Sequence, residues 1–246
     1  MTDMTSTALV TGGAHGIGAA SAQLLATTND HVLVADIDEP GAIAVAAALT
    51  ATGRSAEAVR LDVSDWASWQ SLRAHCDRTD QRVSVIVNNA YTITRGAAHE
   101  LDDDVWLRQL DVILGGIHRS FRAFHDHLAQ GGSVVNVSSV HAIAGWAGHS
   151  AYAAAKGGVV ALTRQLAVEY GAAVRVNCVL PGAIETRAWD GIIDEAGRQE
   201  LYATIVARRF GSPEEVASAI AFLAGEGAAY ITGASLVVDG GITIRT

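Results

Sequence analysis

The sequence predicts one doubly wound α/β domain over residues 1–246, with about seven parallel strands and helices on both faces. Three observations predict it. Seven short apolar runs rich in β-branched residues recur along the chain. Most run without sustained polar alternation, as expected for strands buried on both faces. Longer Ala-rich stretches separate them, and no Pro/Ser-rich linker, repeat or low-complexity segment interrupts the series.

Taken in order, "TALVTGG" is the first strand and precedes a helix predicted from Ile17 to Ala26. "HVLVADI" precedes a second helix, Pro40 to Thr52, and "EAVRLDV" a third, around Trp66 to Cys76. "VSVIVNNA" leads to a long amphipathic run from Asp102 to Leu128. "GSVVNVSS" leads through a loop to a helix from Tyr152 to Tyr170. "VRVNCVLPG" and "ASLVVDGG" are the last two strands, with a helix from Pro213 to Leu223 between them. In such folds ligands sit beyond the carboxyl ends of the strands, so chemistry is expected just after each apolar run.

Composition narrows the function classes. Half of the 246 residues are hydrophobic and 17% are charged, ample for a sizeable core. The formal net charge of −9 argues against nucleic acid or an anionic membrane as partner, because both select basic surfaces. No apolar stretch approaches a membrane span, and "MTDMTSTALV" lacks the basic start and apolar run of a signal peptide. A cytoplasmic protein is expected. Cys76 and Cys178 form no C-x-x-C and read as reduced core thiols.

The first strand ends in "TGGAHGIG", with Gly12, Gly13, Gly16 and Gly18 around His15 and Ile17. Glycines permit a sharp turn and let phosphates approach the N–H groups that open a helix. The spacing differs from G-x-G-x-x-G, and a glycine turn by itself also serves purely structural ends. Asp36 follows the second strand, eighteen residues beyond Gly18, with Ile37 next and no Arg or Lys nearby. An acid there accepts hydrogen bonds from the adenosine ribose of NAD and repels the 2′-phosphate of NADP. The alternative is an Asp that caps the helix at Pro40. Asp62, after the third strand, either meets the adenine edge or makes a turn.

The stretch "YAAAK" holds the only lysine in a chain with sixteen arginines. Tyr152 and Lys156 are i and i+4 on a predicted helix, so they share a face. A free phenol titrates near pH 10, and a nearby ammonium lowers that value. Such a phenol exchanges a proton with a substrate hydroxyl or carbonyl. The ammonium is compact where a guanidinium is a wide fork. Ser139, at the end of the fifth strand, is placed to hold the substrate oxygen. A core Tyr, an exposed Lys and a strand-end Ser are the bland alternatives for each residue taken alone.

Together, "TGGAHGIG", Asp36, "LDV" at Leu61–Val63, "NNA" at Asn88–Ala90, Ser139 with "YAAAK" after it, "VRVNCVLPG" and "VVDGG" resemble the short-chain dehydrogenases/reductases over nearly the whole chain. The resemblance implies a Rossmann-type fold, NAD as cofactor and reversible hydride transfer between nicotinamide and a secondary alcohol or ketone. It implies Tyr152 as general acid/base. Lys156 lowers the pKa of Tyr152 and holds the nicotinamide ribose, and Ser139 orients the substrate oxygen. Pro181, Gly182, Ile184 and Thr186 form the nicotinamide-side loop. Asp62 and Val63 contact adenine, and Asn89 and Ala90 pass along the adenosine ribose. Two departures stand out. Tyr91 replaces the glycine that the family places after N-N-A, and Ile113 replaces the Asn that the family uses in proton relay. A slower relay is expected.

His141, Trp146 and His149 precede Tyr152 on the expected substrate side. "SSVH" with "YAAAKGG", and "PGAIET", are similar to sugar and polyol dehydrogenases of the family, and some hydroxy-acid dehydrogenases share the His. A His there donates to a hydroxyl-rich or carboxylate substrate, or simply packs the loop. The segment 185–207 is expected to be a lid, with Trp189 and Tyr202 covering substrate. No metal site is expected: His99, His118, His125 and His127 read as surface residues. Helices with apolar residues on more than one face, together with the resemblance, suggest a homotetramer. The leading expectation is an NAD-dependent dehydrogenase of a sugar, polyol or hydroxy acid. The rivals are a 3-oxoacyl-thioester reductase and a dinucleotide-binding protein with little catalysis.

Overall fold

The structure, a computed structural model, describes residues 5–128, 131–189 and 191–244. Among these, seven parallel strands form one sheet in the order β3-β2-β1-β4-β5-β6-β7. The elements run β1 (Thr5–Thr11), α1 (Gly16–Leu25), β2 (His31–Asp36), α2 (Glu39–Ala51), β3 (Ala56–Arg60), α3 (Trp66–Arg78), β4 (Gln81–Asn88) and α4 (Asp103–Leu110). There follow α5 (Gly116–Leu128), β5 (Gly132–Val137), α6 (Ser150–Tyr170), β6 (Val174–Pro181), α7 (Glu195–Thr204), α8 (Pro213–Ala224) and β7 (Ser235–Val238).

Successive strand residues point to opposite faces, and the core divides accordingly. Leu9, Leu33 and Ile86 join Trp69, Phe124 and Val159 under α3, α5 and α6. Val10, Val34 and Val87 join Leu25, Leu49 and Ile220 under α1, α2 and α8. The central strands β1, β2 and β5 are therefore buried along nearly their whole length and mostly apolar. The edge strands are not: β3 and β7 are largely half-buried or exposed.

The expected run from Asp102 to Leu128 is broken by a π-helical turn, Asp111–Gly115, between α4 and α5. Single π turns recur near functional sites because the extra residue re-aims its neighbours. Here Val112 reaches the cleft described below, while Ile113 is 3% exposed and packs in the core.

One surface assignment is overturned. His127 is buried: its Nδ1 accepts from the Val83 N–H at 3.3 Å, and its Nε2 lies 3.3 Å from Asp77 Oδ1. The helix period places His127 inward next to Phe124, and burial lowers its pKa. His99, His118 and His125 are exposed. Both cysteines are free and buried. Among the described residues no helix is long and apolar enough to cross a membrane.

Candidate active site

The order of the sheet reverses between β1 and β4, and a crevice opens there at the carboxyl ends. It holds a cleft of about 840 Å³. The catalytic, cofactor and substrate residues expected from the sequence line it, except Gly18 of the glycine turn and Tyr202 of the expected lid; Gly13 does not line it either.

The glycine turn shapes one end. Gly12 has φ +63, and a Cβ there would lie 2.8 Å from Asn89 Nδ2. That amide donates to the Thr11 and Gly12 carbonyls at 3.1 and 3.0 Å, while Thr11 Oγ1 accepts from the Asn89 N–H at 3.1 Å. Asn89 thus braces the turn as well as lining the cleft. Gly18 sits behind the wall, where a Cβ would come 2.0 Å from the Gly12 carbonyl oxygen. Gly18→Ala is expected to lower stability by about 1–3 kcal/mol through overpacking, read by denaturant unfolding. His15, the N-cap of α1, makes no side-chain capping bond, so side chains leave the N–H groups opening α1 uncovered. Small residues and free N–H groups at a helix start suit a pyrophosphate.

Asp36 Oδ2 accepts from the Ala14 N–H at 3.0 Å and Oδ1 from the Asp38 N–H at 2.9 Å. Asp36 does not cap α2. The cap is Asp38, whose carboxylate accepts from the Gly41 N–H at 3.2 Å and lies 2.6 Å from His15 Nε2. The Asp36 carboxylate therefore borders the cleft, with Ile37 beside it. Asp62 both lines the cleft and makes a turn, since Oδ1 accepts from the Ser64 N–H and hydroxyl at 2.9 and 2.6 Å.

The other end gathers Ser139, Tyr152 and Lys156. Lys156 is 2% exposed, and its Nζ donates to the Val137 carbonyl at 2.7 Å. Ser138, next to Ser139, donates to the Lys156 carbonyl at 2.8 Å and so ties α6 to the end of β5. A buried chain of amides runs alongside: Asn88 donates to Asn136 at 2.9 Å, and Asn136 to Thr163 at 3.0 Å. Burial drives the two titrating groups toward neutrality. The Tyr152 phenol is pushed well above its ordinary value, a hydrogen bond with Ser139 opposing the shift. The Lys156 ammonium is pushed down to about 7. Its Nζ lies 5.5 Å from the Tyr152 ring centroid and 5.7 Å from that of Tyr91. Tyr91, where the family has glycine, packs edge-on to Tyr152 at 6.3 Å and adds a second ring next to the ammonium.

Beyond the phenol stands an aromatic wall. The His141 ring lies 5.3 Å from Tyr152, 4.6 Å from Trp146 and 4.6 Å from His149. Burial, with His149 and Arg95 adding to it, lowers the His141 pKa to about 4, so the ring is neutral at pH 7. The expected lid contains a 3₁₀ turn, Arg187–Trp189, and α7. Asp190 of that segment lies outside the described residues. Trp189 lines the cleft, with its Nε1 donating to the Ile184 carbonyl at 2.9 Å and its ring stacked 5.1 Å from Phe210. Tyr202 instead packs on Phe210, 5.0 Å away; Ile192 and Leu201 line the cleft from this segment.

Sequence reasoning missed the three arginines that line the cleft: Arg95, Arg108 and Arg187. Arg95 lies in a loop, where no periodicity betrays it, and Arg108 reads as an ordinary exposed residue of α4. Among the described residues no group of three metal-ligating side chains converges.

The family model described as enoyl-(acyl carrier protein) reductase matches residues 12–243. The chain is 41% identical over 244 residues to cis-4-hydroxycyclohexanecarboxylate dehydrogenase of Sinomonas cyclohexanicum, covering 96% of each. It is 38% identical over 245 residues to D-threitol dehydrogenase of Mycolicibacterium smegmatis, covering 97% of this chain and 93% of the relative. A Serratia marcescens short-chain dehydrogenase/reductase variant superposes with a TM-score of 0.90 at 32% identity, covering 97% and 98% of the two chains. The chain belongs to the short-chain dehydrogenase/reductase family, oxidoreductases that bind a nicotinamide dinucleotide and act on alcohols and ketones.

Proposed function

We propose that this protein is an NAD-dependent dehydrogenase of a secondary alcohol borne on a polyol, sugar or hydroxy acid, with Tyr152 as the proton-transfer residue. The observation behind it is the meeting of Ser139, Tyr152 and Lys156 at one end of a cleft whose other end is the glycine turn. The relatives named above act, by their names, on a hydroxycyclohexanecarboxylate and on D-threitol, a ring hydroxy acid and a linear polyol.

Bound dinucleotide supplies the hydride acceptor. Gly12, Gly16 and the start of α1 suit its pyrophosphate, Asp36 its adenosine ribose, and the Pro181–Thr186 loop its nicotinamide side. Ser139 holds the carbinol oxygen, and Tyr152 takes the hydroxyl proton as the hydride leaves the carbon. Burial opposes a phenolate, so charge on Lys156 is needed at that moment. Lys156, whose pKa burial lowers to about 7, is also placed to hold or release that proton.

NAD preference follows from Asp36, because a 2′-phosphate placed beside this carboxylate meets like charge in a partly dry site. The experiment is dinucleotide reduction by the purified protein with NAD or NADP against polyols, aldoses, hydroxy acids and simple secondary alcohols. 3-Oxoacyl thioesters with NADPH form the reverse arm. Turnover with NAD, at least about tenfold better than with NADP, is expected. Asp36→Ser is expected to shrink that ratio about tenfold or more. NADPH-driven thioester reduction as the best activity would overturn the proposal.

A homotetramer is part of the same proposal. Its support is that α4 exposes Leu107 and α6 exposes Val168, the latter 83% accessible. Sedimentation of the purified protein as a monomer would exclude it.

A further inference from the structure

The alcohol end of the cleft contains one fixed positive charge that proton transfer does not use. Arg95 lies in the loop between β4 and α4 and lines the cleft. The loop is stitched in place: the Gly96 N–H donates to the Gly148 carbonyl at 3.0 Å, and Gly96 pairs with His149 as an isolated parallel bridge. Arg95 Nε donates to His149 Nε2 at 3.1 Å. His149 Nδ1 faces the Ala147 carbonyl at 2.8 Å, so it bears the hydrogen and leaves Nε2 as the acceptor.

A neutral imidazole thus holds one edge of the guanidinium and leaves its charge uncancelled. Among the described residues Arg95 takes part in no ion pair. Its charge reaches the aromatic wall: burial raises the Tyr91 pKa and Arg95 opposes that shift, while burial lowers the His141 pKa and Arg95 adds to it. The carboxylates lining the cleft are Asp36 and Asp62, and both follow strands on the far side of β1. Arg108 is occupied there by the Ser64 hydroxyl at 2.6 Å and by Asp62, and Arg187 acts on Asp38. Of these three arginines, Arg95 is the one bonded to a residue of the alcohol end, His149.

We propose that Arg95 is the anion-recognition residue of the substrate site, and that the substrate is a hydroxy acid rather than a neutral sugar or polyol. Its carboxylate pairs with the two free guanidinium nitrogens, the fork that matches a carboxylate best. Its carbinol lies at Ser139 and Tyr152, and its body packs against Tyr91, His141 and Trp146. Contacts run from Arg95 to His149, His141 and then Tyr152, so the cation and the phenol belong to one wall of the substrate end. The proposal rests on the alcohol-dehydrogenase reading above for its carbinol half only.

The test compares 4-hydroxycyclohexanecarboxylate with its methyl ester in the wild type, Arg95→Gln and Arg95→Lys. In the wild type the acid is expected to be the better substrate. In Arg95→Gln the KM for the acid rises about tenfold to a hundredfold, the worth of one charge-assisted pair. The ester is unaffected, and Arg95→Lys recovers part of the loss. Equal losses for acid and ester in Arg95→Gln would show that Arg95 only fastens the His149 loop, and would overturn the proposal. So would an ester oxidised as well as the acid by the wild type.

Calorimetric titration with cyclohexanecarboxylate, which has no hydroxyl to oxidise, separates this proposal from the catalytic one. Binding that disappears in Arg95→Gln supports anion recognition even if no alcohol turns over. Absent binding, or binding indifferent to the substitution, overturns it even if alcohols turn over well.

Discussion

Tyr152→Phe is expected to lower kcat/KM for alcohol oxidation about 10²–10⁴-fold, the range that positioned proton transfer contributes, with the protein still folded and still binding NADH. The ring is held by packing: Tyr91 and His141 stand edge-on to it at 6.3 and 5.3 Å. Those contacts survive in Phe. The variant loses only the hydroxyl and its hydrogen bond with Ser139. Initial rates, circular dichroism and NADH fluorescence measured together check this. A rate loss below tenfold would mean that the proton leaves by another route.

Lys156→Met is expected to abolish most turnover and, without added dinucleotide, to stabilise the fold. The lysine is buried, and no carboxylate lies among the causes that shift it; burial dominates and lowers its pKa to about 7. The sign follows from linkage. Below the folded-state value both states bind the proton, and the folded protein bears the whole penalty of a buried charge. As pH rises toward the ordinary lysine value of about 10.4, the unfolded chain also gives up its proton and the penalty fades. Wild-type stability should therefore gain from this group between about pH 7 and pH 10, and Lys156→Met should lack that gain. At pH 7 the net stabilisation is about 1–3 kcal/mol, after subtracting the lost bond to the Val137 carbonyl. Urea unfolding of both proteins at pH 7 and pH 9.5 measures it. A variant less stable than the wild type at pH 7 would show that the ammonium is paired more effectively than its surroundings indicate.

Such an opposition between stability and use is common where a site holds a group that its surroundings disfavour. It also answers why this chain uses its single lysine here. A guanidinium would stay charged at any working pH, whereas a buried ammonium sits near its titration point.

The sheet was legible because its chemistry is monotonous. Strands covered on both faces must be mostly apolar, and the chemistry collects where they stop. Hence Asp36, Asn89, Ser139 and Pro181 all border one cleft although nothing in the sequence brings them together except the rule that strand ends converge. Elements governed by one residue of geometry were less legible. Periodicity cannot show the extra residue of the π-helical turn at Asp111–Gly115, where Val112 and Ile113 both pack in the core and Val112 also borders the cleft. His127 is different: the helical period from Phe124 sets it inward, and only its polar ring led to its reading as a surface residue. Asp36 and Asp38 both precede a proline, and only the backbone direction shows that Asp38 is the cap. The glycine motif implied ligand contact for Gly12, Gly16 and Gly18, whereas Gly18 serves packing behind the turn. Arg95 was illegible for a different reason: its meaning depends on Gly96 and Gly148 joining two loops more than fifty residues apart.

The most direct measurement follows a deuterium atom. A secondary alcohol labelled with deuterium on its carbinol carbon is incubated with NAD and either the wild type or Tyr152→Phe, and the nicotinamide product is examined by mass spectrometry. Deuterium on the nicotinamide with the wild type, and a rate of label transfer at least about a hundredfold lower with Tyr152→Phe, is the predicted result. Label transfer at equal rates in the two proteins, or none from any alcohol while NADH still binds, would contradict the account.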